Sequence, residues 1–335
     1  MRDIRHLLAS EEEPTITVLP DGSVDHRYAI VGPDGDELSR QEFATDIHEY
    51  AKTFLTRPLG EEPGGQSVNA ARQVHELGAN TSLVSHLDHP IFASLPFETY
   101  SMGDPADIHV YELADGVTMF AIESADIDNW TFHRVREAVG PAYDRLTAAD
   151  AILWTNWDAF PHATEGLSEL VESVDRGNLL VIDPGAVSTR SPAARREFLE
   201  TLRALSEPYD VVLSPNRREA DRLAEAIGID GQSVSSIASA LRNRAGIDAV
   251  VIHDVPAAAV ATHSGVETVP TVDDAQPSRH AGGGDRFSAG VAYARAHGWD
   301  WPAALTLGNA TATFYVIHGR SGTASEIADL IAETI

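Results

Sequence analysis

From about residue 64 onward the chain alternates strand-like and helix-like patterns, and that rhythm constrains its fold more than any other feature. Apolar runs at 81–87, 151–154, 178–182, 211–213 and 249–252 read as buried strands. The segments 164–176, 192–206, 217–227 and 234–245 carry helical spacing between them. Strands joined by helices predict a mostly parallel sheet with helices on both faces. A short helix over 3–12 and a first strand at 15–19 precede this region. Two stretches break the rhythm: 24–32, and 108–123 with an Asp115-Gly116 hairpin turn, both of which read as antiparallel strands. At 335 residues the chain is long enough for two domains, although an α/β enzyme of this size with an insertion is also a single one.

The run Ala281-Gly282-Gly283-Gly284-Asp285-Arg286-Phe287 opens onto a helix-like stretch. Bare glycine amides at a helix N-terminus favour an anion, through unpaired N–H groups and the helix dipole. A carboxylate at that mouth would repel a phosphate unless it has a task there, such as taking a proton from an attacking hydroxyl. The local chemistry is phosphoryl transfer to an alcohol, with Asp285 as base and Gly282, Gly283 and Gly284 as anion hole. A tight turn before a helix is the plainer reading of the same glycines. No G-x-x-x-x-G-K-[ST] occurs, and the run lacks the third glycine of G-x-G-x-x-G.

Two distant segments add to it. Pro63-Gly64-Gly65-Gln66-Ser67-Val68-Asn69 starts a helix with apolar positions Val68, Ala71, Val74 and Leu77 before Gly78. Gly64 and Gly65 let backbone approach a polyhydroxyl ligand, and Asn69 offers both a donor and an acceptor. Ser214-Pro215-Asn216-Arg217-Arg218-Glu219 follows a buried-strand pattern. Asn216 and Glu219 have the spacing of a capping box, and Glu219 is also placed to hold hydrated magnesium.

In order and spacing, Gly64-Gly65-x-x-x-Asn69, Asn216-x-x-Glu219 and Gly282-Gly283-Gly284-Asp285 resemble the PfkB, or ribokinase-like, carbohydrate kinases across nearly the whole chain. Gly22-Ser23-Val24-Asp25 and Ile182-Asp183-Pro184 fit the same pattern. The resemblance implies a ribokinase-like α/β three-layer sandwich with a mostly parallel central sheet and a small antiparallel β lid. It implies one kinase domain over 1–335, with lid strands at about 24–37 and 107–123. It makes Asp285 the catalytic base and gives Asp25, Gly64, Gly65 and Asn69 to the acceptor sugar. Asn216, His253 and Asn309 fall on the nucleotide side, with magnesium held by Glu219 through water. ATP is the expected donor with ADP as the alternative, a monovalent cation is a further candidate, and the lid strands are expected to join a homodimer.

The departures bear on the substrate. His86-Leu87-Asp88-His89-Pro90-Ile91 lacks the glycines of the usual G-x-D-x-x-G, and His253-Asp254-Val255 replaces Thr-x-Gly. Arg279-His280-Ala281 stands where Asp-Thr-Thr is common, and Arg286 follows the base where a small residue is typical. Arginine forks suit phosphate, so Arg279 and Arg286 are expected to bind an acceptor that already carries one. The segment 100–105, the leading helix and the glycine-run variant also resemble the archaeal ribose-1-phosphate kinases. That resemblance implies conversion of ribose 1-phosphate to ribose 1,5-bisphosphate in nucleoside breakdown. The alternatives are a nucleoside or free-sugar kinase of the ribose or fructose type, or a silent sugar-binding regulator. An intact Asp285 argues against the last. His86, Asp88 and His89 raise a metal-dependent hydrolase, but their spacing fits no standard metal motif.

Composition sets the partners. Net charge is -27, from 51 acidic residues against 24 basic ones, and Lys52 is the only lysine. Such a surface disfavours nonspecific contact with nucleic acid or anionic membrane and reads as an adaptation to concentrated salt, as in a halophile's cytoplasm. The chain has no cysteine, which excludes disulfides and thiolate chemistry. No apolar run reaches membrane-spanning length, and the first residues lack a signal-peptide core. A cytoplasmic enzyme acting on small molecules is expected.

Overall fold

The computed structural model describes residues 4–9, 12–172, 178–229, 233–271, 278–279 and 281–334. In chain order the strands are β1 (Thr15–Leu19), β2 (Ser23–Val31), β3 (Leu55–Gly64), β4 (Asn80–Ser85), β5 (Glu98–Ser101), β6 (Ala106–Leu113) and β7 (Gly116–Ile122). They continue as β8 (Ala151–Thr155), β9 (Leu179–Asp183), β10 (Asp210–Leu213), β11 (Ala249–Ile252), β12 (Ala257–Thr262) and β13 (Gly265–Pro270). The main sheet has the order β13-β12-β11-β10-β9-β8-β1-β4-β5. Its pairings from β11 to β5 are all parallel, and β12 and β13 add an antiparallel edge. Parallel strands buried on both faces need apolar residues at nearly every position, and β8 and β9 are buried at all five.

Alternate side chains of these strands feed two cores. Ile16 and Val18 of β1 face one core, with helices Gln66–Glu76, Gly283–Ala296 and Trp301–His318 packed over it. Leu19 and the β8 residues Ile152 and Trp154 face the other, covered by Phe132–Val139, Pro192–Leu205, Arg217–Ala226 and Val234–Ala245. This is the three-layer arrangement expected from the alternation. The helix read over 164–176 is observed at Ala163–Glu172, and its last residues lie outside those described. The leading helix is observed at Ile4–Leu8.

The second sheet, of order β3-β2-β6-β7, differs from expectation in two ways. Its central pairing, β2 with β6, is parallel, so the lid is mixed rather than antiparallel. It also contains β3, which the sequence did not show, while β2 ends at Val31 instead of continuing to 37. Strand β3 reads Leu-Thr-Arg-Pro-Leu-Gly-Glu-Glu-Pro-Gly and is exposed over its first seven residues. Prolines are tolerated there because an edge strand needs only one row of ladder hydrogen bonds. Strands β5, β12 and β13 and the exposed helix Arg40–His48 were also unmarked in the sequence. Among the described residues, no helix is long and apolar enough to cross a membrane.

Candidate active site

The parallel strands deliver their carboxyl ends to one edge of the sheet, where open α/β folds bind ligands. Below the lid lies a cavity of about 520 Å³. Asp21 follows β1 and is nearly buried. One of its oxygens accepts from Gln66 N (2.7 Å) and Asn156 Nδ2 (3.1 Å), the other from Ser67 N (2.9 Å) and Thr155 Oγ1 (2.7 Å). Asp21 therefore caps the helix Gln66–Glu76 and ties it to the end of β8. Sequence reading passed over it, because Pro20-Asp21-Gly22 looks like an ordinary turn.

Asp25 points into the same cavity and accepts from Ser23 Oγ at 2.5 Å. Burial pushes its carboxyl up to about 6, against the pull of that hydrogen bond, and Glu62, Asp285 and Asp21 add repulsion. The two glycines expected to open the backbone have distinct tasks. A methyl group on Gly64 would land on the Asp25 carboxylate, and Gly65 has φ +97° and lies against Gly22. Both allow a close approach that a side chain would block.

Asp285 sits in the first turn of Gly283–Ala296, 6% exposed, lining the cavity. It accepts a 2.8 Å hydrogen bond from Asn69 Nδ2. Burial pushes its carboxyl up to about 6, while Arg286 and the Asn69 hydrogen bond pull it down. Gly282 precedes the helix with φ +88°, a left-handed conformation suited to glycine, and it also lines the cavity. Gly283 starts the helix, and Gly284 lies against the His253 ring. The run is therefore both a turn and a helix mouth with unpaired amides, the geometry that holds an anion.

Asn216 and Glu219 also line the cavity, as a capping box. Asn216 N donates to Glu219 Oε2 (2.8 Å), Glu219 N donates to Asn216 Oδ1 (3.1 Å), and Asn216 Nδ2 donates to Glu219 Oε1. Burial first, then Asp183, raises the Glu219 carboxyl well above its ordinary value. Asp183, at the end of β9, is raised by burial and by Asp285, and accepts from Ser288 Oγ at 2.8 Å. Neither carboxylate has a cationic partner within ion-pair distance among the described residues. Together they fit a nearby divalent ion, and both Glu219 oxygens being occupied suits contact through water rather than direct ligation. Among the described residues there is no cluster of three acidic or His side chains able to enclose a metal directly.

Three expected site residues are committed to contacts within the protein. The Asn309 amide donates to Pro270 O (3.1 Å) and Val269 O (3.4 Å), fastening the end of β13. The His253 ring packs at 4.8 Å from Phe287, burial pushes it down to about 4, and its buried Nε2 has no partner. It is a neutral wall behind Gly284. Arg286 lies 3.7 Å from Asp285 but faces an adjoining cavity, stacked on Tyr315 at 3.8 Å, and donates to Asn69 Oδ1 (3.1 Å) and Gly282 O (3.0 Å). Arg279 does line the main cavity, but Glu62 holds it through two hydrogen bonds of 3.1 and 2.9 Å, and Glu112 lies 3.6 Å away. Arg27 bonds Glu112 and lies 3.6 Å from Glu62, so two lid arginine–glutamate pairs interlock. His280 lies outside the described residues. His86 is buried against Pro20 O, Asp88 accepts from Ser101 Oγ, and His89 caps a short turn, so they do not converge on a metal.

The family model of prokaryotic ketohexokinase matches residues 47–334. A ketohexokinase of Haloferax volcanii is 26% identical over 294 residues, covering 83% of this chain and 77% of that protein. Thermotoga maritima ribokinase superposes with a TM-score of 0.68 at 15% identity, covering 95% of this chain and 99% of its own. A Burkholderia thailandensis nucleoside kinase in complex with inosine gives 0.68 at 19%, covering 95% and 96%. Escherichia coli phosphofructokinase-2 in complex with fructose-6-phosphate gives 0.69 at 14%, covering 96% and 99%. The family model, matching most of the chain, places it in the prokaryotic ketohexokinase family of PfkB-type carbohydrate kinases, phosphotransferases with an alcohol acceptor.

Proposed function

We propose that this kinase phosphorylates an uncharged ketohexose such as fructose, with ATP as donor. The observation that carries this reading is the charge of the main cavity. Seven carboxylates line it (Asp21, Asp25, Glu62, Glu112, Glu123, Glu219 and Asp285), against two arginines, and both arginines are held by glutamates. A sugar phosphate entering there would meet net repulsion, whereas carboxylates readily accept hydrogen bonds from hydroxyls. The ketohexokinase relative supports the same acceptor class. Ribose 1-phosphate, favoured by the sequence, loses its main support once Arg286 is turned away and Arg279 is paired.

Asp25 and Asn69 hold acceptor hydroxyls. Asp285 takes the proton of the reacting hydroxyl as its oxygen attacks the terminal phosphorus; the new O–P bond forms while the bridging P–O bond breaks and ADP departs. The amides of the glycine run hold the transferring phosphoryl oxygens. Glu219, which lines the cavity, would hold magnesium through water, and the ion would supply charge that neutralises the nucleotide phosphates. In an acceptor panel at fixed ATP and magnesium, kcat/KM for fructose should exceed that for ribose 1-phosphate and for inosine by at least about tenfold. A preference for ribose 1-phosphate would overturn the reading.

The outer face of the lid supports pairing with a second copy. Phe120 and Ile122 on β7 and Leu55 on β3 are more than half exposed on the two edge strands. Open strand edges carrying apolar side chains favour association. Sedimentation should give a dimer for the parent and a monomer for Phe120→Asp. A monomeric parent would reject the pairing.

A further inference from the structure

The adjoining cavity, of about 340 Å³, is where four of the chain's few cations meet: Arg72, Arg279, Arg286 and Arg320. Tyr315, Glu62 and Glu76 also line it, and Asn216, Glu219 and His253 do not. Two of the arginines are committed, Arg279 to Glu62 and Arg320 to Glu326. Arg72 has no such partner, and Arg286 is only partly paired. Arg286 is 3% exposed and keeps a buried Nε with no hydrogen-bond partner, its nearest carboxylate being Asp285 at 3.7 Å. Arg72 is half-buried and makes no hydrogen bond or ion pair among the described residues, although Glu62 and Tyr315 act on it at longer range.

A buried guanidinium N–H without an acceptor is costly, as at the Arg286 Nε. In a chain of net charge -27, elsewhere furnished with ample carboxylates, Arg72 has no acid partner within ion-pair distance among the described residues. Each guanidinium offers several donors in a planar fork matched to a tetrahedral oxyanion. From this we infer a second ligand site: the cavity bounded by Arg72, Arg286, Arg279 and Arg320 binds a phosphate dianion, free or as a small monoester. The site is separate from the acceptor cavity, divided from it by the Glu62–Arg279 pair and by Asn69. It reaches the reaction centre indirectly, because Arg286 holds the Asn69 amide that donates to Asp285.

The test is calorimetric titration of the nucleotide-free full chain with inorganic phosphate, at constant ionic strength in potassium chloride. Saturable binding to one site is expected. Arg72→Gln should raise Kd by at least about tenfold, the scale of one lost charge-assisted hydrogen bond. Arg72→Lys should keep Kd within about threefold, since it retains the charge and so keeps the site testable if Arg72→Gln folds poorly. Arg27→Gln, in the acceptor cavity, should leave Kd unchanged. Glycerol 3-phosphate run in parallel separates the two sources: tighter binding than phosphate assigns the site to a phosphorylated metabolite, weaker binding to free phosphate. No saturable binding, parent-like binding by Arg72→Gln, or loss of binding in Arg27→Gln would each overturn the assignment.

Discussion

Replacing Asp285 with Asn should lower kcat by roughly two to four orders of magnitude, the usual contribution of a positioned general base. The substitution is nearly isosteric, and Asn69 can still hydrogen-bond to the new side chain, so folding should survive. The parent should also show an acid limb in kcat/KM. Asp285 is raised to about 6 by burial, so it is protonated and unable to accept a proton below that pH, and it becomes competent as pH rises through it. Asp25, also raised to about 6, titrates over the same range, so the limb reports both carboxyls together. In Asp285→Asn the residual activity should lose its share of that limb. Activity within a few-fold of the parent would remove Asp285 from the role of base.

Gly64→Ala should be the most damaging small substitution in the acceptor cavity. The added methyl overlaps Cγ and both oxygens of Asp25, so either the carboxylate swings out of the cavity or the end of β3 moves. Overpacking of this kind costs about 1–3 kcal/mol. It should appear as a lower melting temperature and at least about a tenfold rise in acceptor KM, because Asp25 binds the acceptor in the ground state. The double variant Gly64→Ala, Asp25→Ala relieves the overlap, so it should recover stability without recovering KM. If Gly64→Ala alone kept the parent KM, Asp25 would not be an acceptor contact.

What the sequence disclosed depended on whether a property is local. The Asp285 helix mouth and the Asn216–Glu219 box are contained within a few residues, so spacing alone revealed them. Strand β3 was illegible because its two prolines and lack of apolar alternation suit only an edge strand, and edge status depends on what pairs with it. Asn309 and Arg286 were recognised as belonging to helices near the site, but the direction of each side chain is set by its neighbours. Asn309 is captured by carbonyls of β13, and Arg286 by Tyr315 and Asn69. Asp21 escaped notice for the opposite reason. Its four donors come from two distant segments, 66–67 and 155–156, that only folding brings to it.

The contacts of Arg279 with Glu62 and Glu112 join the lid to the main body, and Arg27 ties the same two glutamates together within the lid. Arg279 lies on the chain leading into the glycine run, while Glu62, Glu112 and Arg27 belong to lid strands. Any swing of the lid away from the main sheet must pull Arg279 from both glutamates. These contacts add an ionic resistance to opening, and it weakens as mobile ions compete for those charges. The rate at which a sugar enters or a product leaves is in this way tied to the ionic medium, through contacts that never touch either molecule.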